Sequence, residues 1–276
     1  MSEYLEVNKR RWNELARLHP GTAFYDLDRL RGGGSSLHRL EIDEVGPVEG
    51  RRLLHLQCHI GTETVSWARL GALVTGVDFA EAAIDEARRL AAACGVDATF
   101  VLSSIDDLPN NLDGTFDIVF TSWGVIGWLP DLGHWAEVVA HFLEPGGAFY
   151  IAEGHPVAWT FDDESSDLAD LKVRYDYFPG HFPQQFESQG SYADREEAVV
   201  NRRTYEWTWT LGQVVSALAG AGLVIEFVHE HDRIPFQMLP ILELDEDDPD
   251  EPGRWYRMPP GRPRIPLSFS IRARRP

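Results

Sequence analysis

Hydrophobic positions near the start of the chain recur at helical spacing. Over residues 3–18, Leu5, Trp12, Leu15 and Leu18 fall on one face, and Pro20-Gly21 closes the segment. Arg31-Gly32-Gly33-Gly34-Ser35-Ser36 is a flexible turn into a second short helix near Leu37–Val45, which Gly46-Pro47 breaks. The pattern then changes. Short apolar runs of strand length occupy 52–57, 73–78, 98–102, 116–121 and 148–153. Helical segments at 62–70, 80–93 and 132–142 alternate with them, and Glu144-Pro145-Gly146-Gly147 reads as the turn before the fifth run.

Alternation of this kind implies right-handed crossovers and a mainly parallel sheet covered on both faces. It stops near residue 154. Residues 155–201 are rich in aromatics, Asp, Gly and Pro, with strand-like stretches at Arg174–Phe178 and Tyr205–Thr210. The α/β pattern then resumes with a helix at 211–221, a strand at 223–229 and a last strand at 267–273. The expected fold class is α/β, a Rossmann-like, mainly parallel seven-stranded sheet with helices on both faces. It carries an N-terminal helical segment (1–49), a core (50–153), an inserted cap (154–210) and a C-terminal helix with the last two strands of the same sheet (211–276). Glu243–Glu251 holds seven acidic residues and reads as a solvated loop.

Composition narrows the function classes. The net charge of −19 has the wrong sign for gripping phosphates, so no nucleic-acid partner is expected. The arginines at 262, 264, 272, 274 and 275 read as a solvated tail beside the acidic loop. No apolar run approaches the roughly 20 residues of a membrane helix, and Met1-Ser2-Glu3-Tyr4 shows no secretory signal. Two distant cysteines, Cys58 and Cys94, suit a reducing cytoplasm rather than a disulfide framework. No metal site is expected, because His229 and His231 share a strand face without a third ligand. Oligomeric state is open, a homodimer among the options.

The loop after the first strand, Leu56-Gln57-Cys58-His59-Ile60-Gly61, lacks the three-glycine pattern that cradles a pyrophosphate, which counts against a nicotinamide or flavin enzyme. One glycine, Gly61, remains where the chain must pass close to a ligand. The second strand ends in Asp78, about 17 residues on, where a carboxylate accepts from both hydroxyls of a ribose. A ribose-binding acid without a diphosphate cradle points to a nucleoside cofactor lacking phosphates.

These segments resemble the class I S-adenosylmethionine-dependent methyltransferases. Leu53–Gly61 with Gly76-Val77-Asp78-Phe79-Ala80 is similar to their first two motifs. Phe116-Asp117-Ile118-Val119 with Leu143-Glu144-Pro145-Gly146-Gly147 is similar to their fourth strand and the following turn. The likeness covers about residues 50–153. The variant Leu-His-Leu-Gln-Cys-His-Ile-Gly, with Trp128–Leu132 and Glu153-Gly154-His155-Pro156, resembles a bacterial small-molecule subgroup. The resemblance implies S-adenosyl-L-methionine as cofactor. Gln57, Cys58, His59 and Gly61 would line its methionine end, Asp78 would take the ribose, and Phe79 would pack near the adenine. Ser104, Ile105 and Asp106 would hold the adenine ring, and Ser122 and Trp123, with Thr121, would sit under the sulfonium. Ser104 stands where the family usually has Asp.

The function expected is methyl transfer from S-adenosylmethionine to a small-molecule acceptor at oxygen, nitrogen or carbon, by in-line displacement that depends on orientation. His155 and Glu153, on the rim after the fifth strand, are the candidate general bases. For His155 the competing reading is packing under Pro156, and for Glu153 it is anchoring a neighbouring helix. Tyr25, Trp128, Tyr177 and Tyr192 are candidates for the acceptor pocket, although most aromatics are core. Cys58 reads as a small buried hydrophobe rather than a reactive thiol. Alternatives are a cofactor-binding sensor or scaffold without catalysis, a methyltransferase acting on a macromolecule, and a nucleotide-binding oxidoreductase.

Overall fold

A computed structural model describes residues 3–165, 170–178, 180–249, 251 and 253–276; part of the expected cap (166–169 and 179) and residue 250 of the acidic stretch lie outside the described residues. Three helices come first, α1 (Glu3–Leu18), α2 (Leu27–Arg31) and α3 (Arg39–Val45). The alternating region runs β1 (Arg52–Leu56), α4 (Thr62–Arg69), β2 (Leu73–Asp78), α5 (Glu81–Cys94), β3 (Ala98–Leu102), α6 (Leu108–Asn111), β4 (Phe116–Ser122), α7 (Leu132–Phe142) and β5 (Leu143–Gly154). Beyond it lie β6 (Gln184–Glu187), β7 (Arg203–Glu206), α8 (Leu211–Gly220) and β8 (Val224–His231). Three two-residue strands follow, β9 (Arg233–Ile234), β10 (Glu243–Leu244) and β11 (Tyr256–Arg257), and then β12 (Ser268–Arg274).

Seven strands form one sheet in the order β3-β2-β1-β4-β5-β12-β8. All its neighbours pair in parallel except β12, which runs antiparallel to both β5 and β8. The two-residue period of each strand supplies both faces. Leu54, Leu56, Val119, Phe149 and Ile151 pack with α7 and α8. The alternate positions Leu53, Ile118, Phe120, Tyr150 and Ala152 pack with Trp67 of α4 and with Leu37, Val45 and Val48 ahead of the sheet. Strand order reverses between β1 and β4, so the loops after these two strands border the crevice where such sheets bind ligands.

Several local expectations are corrected. Residues 174–178 are not a strand; the nearby pairing is a single bridge between Val173 and Phe161. The strand placed at 205–210 is β7, two residues earlier and paired with β6. Thr210 leaves the strand because its hydroxyl caps α8, with Gln213 returning the bond in a capping box. Strand β5 begins at Leu143, so the 144–147 turn lies inside it. There Gly146 takes φ +81°, and the register to β4 slips.

The acidic stretch is not a simple solvated loop either. Asp248 is almost fully buried and holds Arg233 (3.3 Å) and Arg257 (2.8 Å), while Glu251 holds Arg254 (2.8 Å) and the Trp255 indole (3.0 Å). These pairs organise the small sheet β10-β11-β9 over an apolar cluster of Ile234, Met238, Leu239, Ile241, Leu242 and Leu267. The arginines read as a tail are mostly on or beside β12, where Arg272 and Arg274 pair with Glu226.

Helix α1 ties the cap to the core. Asn8 and Tyr205 exchange two hydrogen bonds (2.6 and 2.8 Å). The buried Arg11 guanidinium donates to Ser188 Oγ (2.7 Å), the Gly190 carbonyl (2.6 Å) and the Asn201 carbonyl (3.0 Å). Glu14 accepts from the backbone N–H groups of Val200 (2.6 Å) and Asn201 (2.8 Å). On its other side, Asn13 Oδ1 accepts from Ala82 N–H (2.8 Å) in the first turn of α5. The segment 188–205 is thus held to α1 by hydrogen bonds. Arg11→Ala leaves three acceptors without their donor, and it is expected to cost about 2–4 kcal/mol. Urea unfolding measures that loss, and limited proteolysis should show faster cleavage between 184 and 206; unchanged values for both would contradict the clamp.

Candidate cofactor and acceptor site

The loop from β1 to α4 turns sharply without the usual glycines. Gln57 (φ 55°), His59 (φ 48°) and Gly61 (φ 77°) all adopt left-handed backbone. Two of these are side-chain-bearing residues in a region that costs them on the order of 1–2 kcal/mol each, so surrounding contacts must hold the turn. Asp78 is the main holder. Its Oδ2 accepts from His59 N–H and its Oδ1 from Ala80 N–H, both at 2.9 Å. At Gly61 a side chain is excluded outright, since a Cβ there would lie 2.9 Å from Ala87 Cβ and 3.1 Å from the Phe100 ring.

Cys58 points behind the loop, buried with its sulfur over Gly76, where a Cβ would approach it to 2.9 Å. Burial raises its thiol pKa, so the sulfur packs as a small apolar group. Gln57 Nε2 donates to the Val125 carbonyl (3.0 Å), linking the β1 loop to the loop after β4, and its Oε1 is left without a partner. His59 Nε2 pairs with His19 Nδ1 (2.8 Å), whereas its Nδ1 is buried and unpartnered. His55 Nε2 and Thr121 Oγ1, near the ends of β1 and β4, are also buried without hydrogen-bond partners. Buried polar atoms that lack partners are costly, and two of them, Gln57 Oε1 and His59 Nδ1, lie on the turn after β1.

An aromatic enclosure stands over the loop. Trp12 meets the His59 ring at 5.2 Å and Trp128 at 5.1 Å, both edge-on. His19 stacks on Tyr25 at 5.0 Å, and the Tyr25 and Tyr192 hydroxyls bond to each other. Tyr25, Trp128 and Tyr192 are thereby brought together, with Trp12 and His19 as members that sequence reading did not assign to the cofactor. Tyr177 is not part of the group and instead meets Phe178 at 5.2 Å.

After β3, Ile105 is buried in the core beside Leu108. Ser104 is engaged with Asp107 (2.8 Å), and exposed Asp106 approaches His134 at 3.9 Å. Phe79 is half-buried against the α5 cluster.

Neither candidate base is free. Glu153, almost fully buried, accepts from the backbone N–H groups of Gly124, Val125, Gly154 (each 2.7 Å) and Ile126 (3.2 Å), so it fixes the loop after β4. His155 Nδ1 accepts from Val157 N–H (3.1 Å), and its Nε2 lies 3.0 Å from Glu230 of β8, turned toward the far edge of the sheet. The geometry gives both residues an anchoring role.

Two further carboxylates, Glu63 and Glu41, lie near the strand ends. Glu63, in the first turn of α4, lies 3.7 Å from His55 Nε2. Glu41, fully buried on α3, accepts from His38 N–H (2.7 Å) and from the Trp123 indole N–H (3.2 Å). Trp123 thus faces α3 and Trp255 (6.2 Å). Sequence reading passed over Glu63 and His55. Their signals were an acid two residues after the loop glycine and a histidine inside an otherwise apolar strand.

A surface depression of about 520 Å³ is lined by Glu230, His231, Asp232, Arg233, Arg257 and Arg264 and lies away from this loop. Its arginines are paired to Asp232, Asp245 and Asp248. It therefore offers no free cation among the described residues.

Comparison with known proteins agrees with this geometry. The sequence profile of a methyltransferase-domain family matches residues 53–147. An uncharacterized methyltransferase of Synechocystis sp. is 33% identical over 132 residues, covering 47% of this chain and 60% of that protein. A ubiquinone biosynthesis O-methyltransferase of Paracidovorax citrulli is 28% identical over 148 residues, covering 53% and 58%. The chain thus spans about three fifths of the length of these curated relatives. The crystal structure of an S-adenosylmethionine-dependent methyltransferase from Mesorhizobium loti has a TM-score of 0.58 at 20% identity, covering 85% of this chain and 97% of the other, and shares its fold. Residues 53–147 thus match a methyltransferase-domain family, and the chain shares the fold of an S-adenosylmethionine-dependent methyltransferase.

Burial sets how the ligand-free site responds to pH. It raises Asp78 to about 6 and Glu63 to about 7, and in the cap it raises Glu206 to about 7. A carboxyl raised on folding adds stability that is present at low pH and lost as pH rises through the folded value. Burial also lowers His19 and His55 to about 3, so their effect is opposite and sets in as pH falls below 6.5. From these groups, stability of the ligand-free protein should peak near pH 5 and fall toward pH 8, by about 1 kcal/mol between pH 6 and 8 for each group near 7. Melting temperatures across pH 5–9 test this, and Glu63→Gln should remove its share of the fall; an unaltered slope would contradict the assignment.

Proposed function

We propose that this chain transfers a methyl group from S-adenosylmethionine to a small-molecule acceptor. The observation that carries the reading is the β1–α4 loop, held in left-handed backbone by Asp78 and surrounded by buried polar atoms without partners. When bound, the cofactor supplies a methyl group made electrophilic by its sulfonium.

The residues present suit such a ligand. Each Asp78 oxygen accepts one backbone N–H and keeps a lone pair for a ribose hydroxyl. Phe79 and Ile105 provide apolar walls for an adenine on the β2–β3 side. Gln57 Oε1 accepts from an amino group, and His59 Nδ1 meets a carboxylate or amino group according to its tautomer. Trp12, Tyr25, Trp128 and Tyr192 exclude water from the reacting end, and their faces favour a cationic sulfonium.

Two features support a small acceptor. The cap and α1 close over the site with direct bonds, leaving an enclosure rather than an open groove. The net charge of −19 also opposes a nucleic-acid backbone. With Glu153 and His155 committed to backbone and to Glu230, orientation and water exclusion carry most of the catalysis that the protein supplies.

Titration calorimetry with S-adenosylhomocysteine provides the test. Saturable binding near one per chain is expected. Asp78→Asn keeps an acceptor for one N–H but removes the charge, and it should weaken binding at least tenfold while the protein stays folded. Absence of saturable binding by the unaltered protein would refute the reading; unchanged affinity in Asp78→Asn would refute the ribose assignment alone.

A further inference from the structure

The buried hydroxyl of Ser191, in the cap, begins a row of hydrogen bonds that ends on the turn after β1. The backbone around it is pinned. The Gly190 carbonyl accepts from Arg11 of α1 (2.6 Å), and a Cβ at Gly190 would lie 2.5 Å from the Arg195 carbonyl oxygen. Ser191 Oγ accepts from the backbone N–H groups of Ala193 and Asp194, both at 3.1 Å. It also lies 3.2 Å from His19 Nε2, and His19 Nδ1 lies 2.8 Å from His59 Nε2. At the far end, His59 Nδ1 is buried without a partner.

Lone pairs give this row a direction. A serine oxygen has two lone pairs and one hydrogen. The N–H groups of Ala193 and Asp194 occupy both lone pairs of Ser191, so its hydrogen remains to face His19. His19 Nε2 therefore accepts, and a neutral imidazole that accepts at one nitrogen carries its proton on the other. His19 Nδ1–H then donates to His59 Nε2, which leaves the proton of His59 on Nδ1. The opposite direction would make His19 Nε2–H a third donor to an oxygen with no lone pair left for it. Burial and the nearby Arg11 charge lower the His19 pKa to about 3, and burial and His19 lower that of His59, so both rings are neutral at pH 7. Other contacts hold the two residues in place. Tyr25, whose hydroxyl bonds to that of Tyr192, stacks on the His19 ring at 5.0 Å, and the His59 N–H is held by Asp78.

We propose that Ser191, acting through His19, holds His59 as its Nδ1–H tautomer, so that the turn after β1 presents a hydrogen-bond donor to the carboxylate of the cofactor. The carboxylate assignment rests on the methyltransferase reading; the tautomer does not. Gln57, on the same turn, has the opposite polarity, because its Nε2 donates to the Val125 carbonyl and its Oε1 is left as an acceptor. An amino-acid group calls for one of each, an acceptor for its ammonium and a donor for its carboxylate. His59 is also removed as a base for the methyl acceptor, since its one ring lone pair is taken by His19. Ser191 and His19 are positioning residues, and His59 is the residue that meets the ligand. Because Ser191 belongs to the segment that α1 clamps, the donor is set when that segment docks.

The test uses the full chain labelled with nitrogen-15 histidine, without ligand, at pH 7.5. Nitrogen shifts and two-bond couplings to the ring protons separate a protonated Nδ1 from a protonated Nε2. Loss of signals in His59→Gly assigns them, and glycine takes the left-handed backbone there without strain. A protonated Nδ1 with a bare Nε2 is expected for His59; a protonated Nε2, or averaging of the two tautomers, would overturn the proposal. Ser191→Ala should turn the pattern into a mixture of tautomers, and Ser191→Thr, which keeps the hydroxyl, should preserve it. An unchanged pattern in Ser191→Ala would remove Ser191 from its role, as would a mixture in Ser191→Thr. Calorimetry then compares S-adenosylhomocysteine with its analogue lacking the carboxylate. The unaltered chain should favour the former at least tenfold, and His59→Gly should cut that preference to about threefold while 5′-methylthioadenosine affinity stays within about threefold. A preference that survives His59→Gly, or none in the unaltered chain, would overturn the carboxylate assignment. Failure of the unaltered chain to bind S-adenosylhomocysteine would instead sink the methyltransferase reading, and the nitrogen shifts alone would then decide the tautomer.

Discussion

A carboxylate removed from water must find donors, and in this chain the donors it finds are backbone N–H groups of the loops that border the crevice. Asp78 takes those of His59 and Ala80, and Glu153 takes those of Gly124, Val125, Gly154 and Ile126. The cost of burying each charge is thereby converted into loop geometry. The left-handed turn at Gln57 and His59 depends on the first interaction, and the approach of Gln57 to Val125 depends on both. Aromatic side chains then close over a floor whose shape is already set. On that turn Gln57 Oε1 and His59 Nδ1 are left without partners.

Much of the fold was legible in the sequence because its strands and helices follow local periodicity. β1 to β5 and their helices lie within a few residues of where the apolar runs put them, and Asp78 ends β2 as read. The small sheet β9–β11 was not legible, since each strand is two residues long and its stability comes from Asp248, Glu251 and the arginines they hold. Nor could Arg174–Phe178 be distinguished from a strand by composition, because no sheet edge reaches it.

The site was legible to a different degree. Loop position singled out Gln57, His59 and Gly61, and these share the left-handed turn after β1. Residues after β5 were read as facing the same rim, yet His155 turns to Glu230 because β12 lies beside β5 and draws the chain that way. His19 and Trp12 contribute through the docking of α1, and Glu41 through α3. Contacts between residues so far apart in sequence leave no periodic trace.

The bonds between α1 and the cap have a consequence for how the protein is made. Asn8 waits for Tyr205, 197 residues later in synthesis, and Arg11 waits for Ser188, 177 residues later. Strand β12, between β5 and β8, is later still. A nascent chain long enough to contain β1 through β5 therefore has neither its roof nor a completed sheet, and its aromatic residues near position 12 are uncovered until residues 188–205 have followed. Contacts of such sequence separation slow folding and prolong the exposure of apolar surface. The same α1 that seals the finished crevice is thus the segment that depends most on events at the far end of the chain.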